Sequence, residues 1–180
     1  MQTWACYFLL SLCARCIFFF SRLGVVDGTE IIINKWIGPS YSGKAHDYTI
    51  KYQVVVGLPD YRPVDIVGPY FGSVSDATVW KESDISRYLE ENGLKVLGDK
   101  GYVGCPAVYA MRKKRRGQAR LTLEDKTYNN TIAKYRVKVE NHFADVKKWK
   151  VLSHAYRGDL SAHYKLFLIC EFLTLLQKEA

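Results

Sequence analysis

Gly24 to Ile33 reads GVVDGTEIII, an apolar, β-branched run with a carboxylate, Asp27, set inside it. Val, Ile and Thr suit a pleated, half-buried backbone, so the run predicts a buried strand. A carboxylate at mid-strand is costly unless it is paired or bound to a cation. The competing reading makes Asp27-Gly28-Thr29 a turn.

Outward from this strand the order of elements follows. Tyr48 to Gly57 (YTIKYQVVVG) predicts a second strand and Val64 to Pro69 a third, with Pro59-Asp60 marking the turn between them. Ser75 to Leu89 has helical spacing, with Val79, Ile85, Tyr88 and Leu89 apolar among polar residues. Leu94–Leu97 and Ala107–Met111 predict short strands. A long helix is expected from about Asp125 to Trp149, and a strongly apolar last helix from Asp159 to Leu176. Short links make the first three strands antiparallel, and the helix leading to the fourth implies a parallel crossover. The expected class is α/β: a mixed sheet of three antiparallel strands, then parallel strands, flanked by helices.

The chain has 180 residues, 48% hydrophobic and 24% charged, which excludes disordered, collagen-like and coiled-coil classes. That length suits one domain, expected over 24–180, after an apolar segment over 1–23. Trp4 to Phe20 is apolar apart from Ser11, Arg15 and a few small residues. It is too short and interrupted for a membrane span and lacks the basic start of a signal peptide. A helix packed on the domain, or a start inside a longer reading frame, accounts for it; neither secretion nor a membrane location is expected. The five cysteines, Cys6, Cys13, Cys16, Cys105 and Cys170, are not a disulfide framework and favour a reducing compartment. No second pair follows Cys13-x-x-Cys16 to complete a zinc site, and His46, His142, His154 and His163 lack metal-ligand spacing. Asn129-Asn130-Thr131 is a glycosylation sequon that matters only in a secreted chain.

The net charge of +8 is unevenly placed: residues 1–100 carry −1, and residues 111–150 hold 13 basic against 4 acidic side chains. Nucleic acid is the natural partner of such a stretch, since neutralising phosphates releases counterions; a solvated basic face is the bland alternative. Arg112-Lys113-Lys114-Arg115-Arg116 is its densest part, read as a DNA-backbone contact, a nuclear import signal or a solvated loop. Ser42-Gly43-Lys44 and His46, in an expected hairpin, give a weaker signal.

Two more acids stand out. Asp99 ends the strand LKVL in LGDKGY, and Glu140 lies near the edge of an apolar helix face beside Val139 and Phe143. Three carboxylates from separate elements, converging at one sheet edge, repel each other without a cation. Their hard oxygens suit Mg²⁺ or Mn²⁺. Taken singly, each is equally a turn residue, a cap or a lysine partner. Asp76, in SDATVW, is read as the cap of the following helix in preference to a metal ligand, in a segment expected near the site.

DGTE at 27–30, SDATVWKES at 75–83, LGDKGYVG at 97–104 and RVKVENHFADVKKWKVLS at 136–153 resemble the DDE superfamily endonuclease domain. The nearest branch is the PIF/Harbinger-type transposases and the host proteins derived from them. The resemblance runs from about Gly24 to Leu176. It implies an RNase H-like fold and metal-dependent hydrolysis and strand transfer on DNA. It makes Asp27, Asp99 and Glu140 the catalytic and metal-holding residues, with 71 residues between the first two and 40 between the last two. Two divalent ions are expected, with Asp27 bridging them and no small-molecule cofactor. Arg136 and Lys147, at R-x3-E-x6-K, match basic positions of related insertion-sequence transposases, although Ala133 stands where that signature has Tyr. Lys100, Arg136, Lys147 and the run Arg112–Arg116 are the expected DNA contacts, ion pairing with Glu140 being the alternative for Arg136 and Lys147. The expected partners are DNA and a separate DNA-binding protein, and the expected location is the nucleus. A transposase-derived DNA- or protein-binding chain without catalysis, and a decayed fragment, are the competing readings. They gain from the 26 apolar rather than basic residues ahead of Asp27, where the family carries a DNA-recognising region.

Overall fold

The computed structural model describes residues 24–34, 38–58 and 60–179. The expected helical segment 1–23 and Pro59 of the expected turn lie outside the described residues. Strands β1 (Gly24–Ile32), β2 (Tyr41–Ser42), β3 (Asp47–Gly57) and β4 (Pro63–Phe71) come first. Helices α1 (Asp76–Glu82) and α2 (Asp84–Glu91) follow, then β5 (Val96–Gly98), a 3-10 turn at Lys100–Tyr102 and β6 (Val108–Ala110). Helices α3 (Leu123–Val146), α4 (Lys150–Ser153) and α5 (Leu160–Glu179) close the chain.

The sheet is mixed, as expected. Strand β3 pairs antiparallel with β1, β2 and β4, while β1–β5 and β5–β6 are parallel. Successive residues of a strand face opposite sides, and the core divides accordingly. Val25, Ile31, Val54 and Val56 pack against Ile132, Val139 and Phe143 of α3 and Phe167 of α5. Val26 and Val55 face the other way, onto Trp80, Ile85, Leu89 and Tyr102. Strand β3, covered on both faces, is accordingly apolar along most of its length. Asp27 has the parity of Val25 and Ile31, so it faces α3; Gly28 has that of Val26 and faces α1. Val25 pairs in parallel with Leu97, so two residues further along each strand direction stand Asp27 and Asp99.

Three expectations shift. The single helix over Ser75–Leu89 is two helices broken at Ser83, whose extended backbone ends one and starts the next. Its hydroxyl donates to the Trp80 carbonyl at 2.7 Å and accepts from the Ser86 amide at 3.3 Å. This local bonding competes with the helical ladder. The long helix starts two residues early, because Thr122 caps it through the Asp125 amide. It ends at Val146 rather than Trp149, with Lys147 as its C-cap. Among the described residues no helix is long and apolar enough to cross a membrane. Asn129 of the sequon is buried, and its side chain holds both main-chain groups of Arg112, at 2.8 and 3.0 Å.

His163 of α5 is fully buried, its Nδ1 2.7 Å from the Tyr52 hydroxyl. Burial pushes its pKa down from 6.5 to about 4. The fold therefore favours the neutral ring, and this contribution is complete above pH 6.5 and lost as the pH falls toward 4. Urea midpoints should fall over that window in the wild type. The fall should be visibly shallower in His163→Gln, measured against the same buffers at pH 7.5.

Candidate active site

The rigid centre of the site is Asp27, held at mid-strand with 15% of its side chain exposed. Its Oδ1 accepts from the Gly28 amide at 2.9 Å and its Oδ2 from Arg136 Nη2 at 2.8 Å. Burial raises its pKa; Arg136 and the Gly28 amide pull it down, and the charge of Asp99 pushes it up again, with a net rise. Arg136 also reaches Glu140 Oε1 at 3.3 Å, one turn along α3. One guanidinium therefore bridges the strand acid and the helix acid. Burial opposes the charge on Arg136, but Asp27, Asp99 and Glu140 together outweigh it and raise its pKa. Its Nε is buried and has no hydrogen-bond partner among the described residues.

Asp99 leaves the end of β5 and caps the 3-10 turn, its Oδ1 accepting from the Gly101 amide at 2.6 Å. Asp27 and Glu140 thus hold one guanidinium, and the charge of Asp99 acts on it too, although the three come from a central strand, a helix and a strand end. Glu140 is the outermost, with 55% of its side chain exposed.

A fourth acid, read from the sequence as a cap in preference to a metal ligand, joins them from the other face of the sheet. The expected cap role of Asp76 belongs to Ser75, whose Oγ accepts from the Thr78 amide at 3.1 Å. The Asp76 carboxylate instead lies over the sheet. Its Oδ1 is 2.9 Å from where a Cβ on Gly28 would stand, and its Oδ2 is 3.5 Å from the same point on Gly101. Asp99 Oδ1 is 2.9 Å from that Gly101 point. Tyr102, fully buried beneath them, has its phenol pKa pushed well up by burial first, then by the charges of Asp76, Asp27 and Asp99. Lys51, itself buried, steadies Asp76 at 3.0 Å while donating to the Val74 carbonyl at 2.7 Å. The readable signal was Gly28: a glycine inside a strand marks close approach by another group.

The remaining expected residues divide. Lys100 is exposed beside Asp99. Lys147 donates to the Glu30 carbonyl at 2.9 Å, and burial pulls its pKa down; it fastens the end of α3 to β1 instead of facing open solvent. Arg112 is likewise committed, paired with Glu124 and Asp125 at 2.9 Å each and lying over the Tyr128 ring. Lys114 donates to the Ala119 carbonyl. Lys113, Arg115 and Arg116 are exposed and have no ion pair among the described residues.

Among the described residues no three His, Cys, Asp or Glu side chains form a ready cluster for an ion. Arg136 holds two of the acids apart from such an arrangement. The donors nevertheless fit a hard divalent cation: they are carboxylate oxygens, and the bare Gly28 and Gly101 leave a cradle that a Cβ would fill.

The family model described as DDE superfamily endonuclease matches residues 26–174. The chain is 32% identical over 144 residues to a protein named as a transposase for insertion sequence element IS112 of Streptomyces albus G, covering 79% of this chain and 54% of that one. It is 31% identical over 144 residues to a protein named as a transposase for insertion sequence element IS702 of Microchaete diplosiphon, covering 76% and 50%. Both relatives are named for insertion sequences rather than for PIF/Harbinger elements. The chain spans about half the length of these curated relatives. No solved structure matches it.

The Asp27–Arg136 pair sets a stability prediction. Arg136→Gln should cost about 2 kcal/mol, because Asp27 keeps its burial and loses a charged donor. In an Asp27→Asn background the same substitution should cost much less, as read from urea midpoints in a double-mutant cycle. Equal costs in the two backgrounds would show that the pair is not coupled.

Proposed function

The chain belongs to the DDE superfamily endonuclease family, with its RNase H-like fold, and on that premise we propose that it is the catalytic domain of a transposase-type nuclease that cuts phosphodiester bonds in DNA with divalent metal. One observation carries the reading. Asp27, Asp99 and Glu140, far apart along the chain, all act on the single guanidinium of Arg136.

Asp27, Asp99 and Glu140 would hold two Mg²⁺ or Mn²⁺ ions, with Asp76 close enough to Asp99 to steady the site. Such a pair supplies activation of a water or 3′-hydroxyl and neutralisation of the leaving oxygen. The protein's own part is positioning. Asp27 cannot swing, because β1 is bonded on both edges, to β3 and β5. Asp99 is aimed by the Gly101 amide. Glu140 rides on α3 and is the acid freest to move with its helix. While it is paired, Arg136 pulls the pKa of Asp27 down against its burial. Once released, its guanidinium is free to take a phosphate oxygen beside the acids. Lys100, exposed next to Asp99, is a second phosphate contact.

The alternative, a DNA-binding chain without catalysis, is favoured by the hold of Arg136 on two of the three acids. Plasmid nicking separates the two. With Mn²⁺ or Mg²⁺ the wild type should convert supercoiled to open-circular DNA. Asp99→Asn should lower that rate at least about 100-fold, more than the loss of an outer-shell partner causes. Equal nicking by both proteins would remove the catalytic reading, and retention of DNA on a gel without cleavage by either would establish the alternative.

A further inference from the structure

A second site lies beside these acids. A cavity of about 880 Å³ opens between the edge strand β6, the Val103-Gly104 loop, the basic loop after Met111 and the first turns of α3. Its size falls within the roughly 300–1,000 Å³ of sites that enclose a small organic group. Its walls are fixed. Trp80 Nε1 donates to the Pro106 carbonyl at 2.8 Å, and Asn129 clamps the Arg112 main chain. Both acids that line it, Glu124 and Asp125, are already paired with Arg112. Lys113 and Arg115 then leave the cavity positive, and Tyr109, 45% exposed with Lys95 Nζ 4.8 Å from its ring centroid, offers an aromatic surface within it.

The geometry points to this cavity as a subsite for one unpaired nucleotide of the DNA strand, its base stacked on Tyr109 and its phosphates held by Lys113 and Arg115. The inference rests on the reading that DNA is the substrate. Cations beside an exposed aromatic ring are the combination that binds single strands, since every base has a face to stack. A paired base keeps its faces inside the duplex, so only an unpaired one can enter.

Position supports the same occupant. Strands β5 and β6 are parallel, and the Met111 amide donates to the Gly98 carbonyl, one residue before Asp99. The basic loop therefore leaves the sheet at the end where Asp99 stands. Asn129, which clamps that loop, is two helical turns before Arg136 on the same helix. That is roughly 10 Å along the axis, about three nucleotides at ~3.4 Å each.

The test is binding, in chelator, so that it does not depend on cleavage. The probes are a fluorescein-labelled oligothymidylate and an abasic strand of equal length, which carries the same phosphates without bases. The wild type should prefer the oligothymidylate. Tyr109→Ala should lose on the order of tenfold for that strand only, while Tyr109→Phe, which keeps the ring, should retain the preference. Lys113→Ala/Arg115→Ala should weaken both strands alike and reduce the salt slope by roughly 1.4. A wild type that binds the two strands equally, or a Tyr109→Ala protein with wild-type preference, would overturn the stacking site. An unchanged salt slope in the double variant would overturn its phosphate contacts.

Discussion

The contact between the Arg136 guanidinium and the Asp27 carboxylate, at 2.8 Å, decides what the rest of this structure can do. A charged acid in the middle of a buried strand has lost most of its water, and that loss raises its pKa. A nearby cation offsets part of that loss. Arg136 supplies one from α3, and the apolar residues on either side of it, Ile132 and Val139, are buried against the same face of the sheet. Burial of that helix stripe therefore sets where the guanidinium arrives. The same guanidinium reaches Glu140, so the packing of helix on sheet is also the spacing of two acids.

The other face of the sheet carries its own charge balance. Lys51 lies between Asp76 at 3.0 Å and Glu30 at 3.8 Å, and Thr49 donates to Glu30 at 2.9 Å. This network fastens the start of α1 to the sheet and places Asp76 over Gly28. With no side chain at Gly28 or Gly101, carboxylates from the two faces come close at one end of β5. An alanine at Gly28 would set its Cβ 2.9 Å from Asp76 Oδ1, so the carboxylate would have to shift. The glycine after Asp27 is thus part of the acidic site rather than a turn residue.

The strands were legible because they follow a local rule, and Asp27 stood out because it breaks one. Runs such as VVDGTEIII and YQVVVG are β-branched, and an acid inside such a run has no local excuse. What stayed hidden depends on partners distant in sequence. Asp76 looked like a helix cap, since nothing in SDATVW shows that Lys51 and two glycines lie around it. Lys147 and Arg112 looked like free cations, yet one meets a main-chain carbonyl of β1 and the other a pair of acids at the start of α3. The break at Ser83 was the exception: it is local, and a serine with a second serine three residues on is a readable cap signal.

The account stands on Asp27 being a carboxylate that exchanges one cation for another, Arg136 for a divalent ion. Calorimetric titration of Mn²⁺ into the wild type, Asp27→Asn and Glu140→Gln addresses this most directly. The account predicts Mn²⁺ binding by the wild type, a weaker isotherm for Glu140→Gln and none for Asp27→Asn. An Asp27→Asn protein that takes up Mn²⁺ as the wild type does would contradict it.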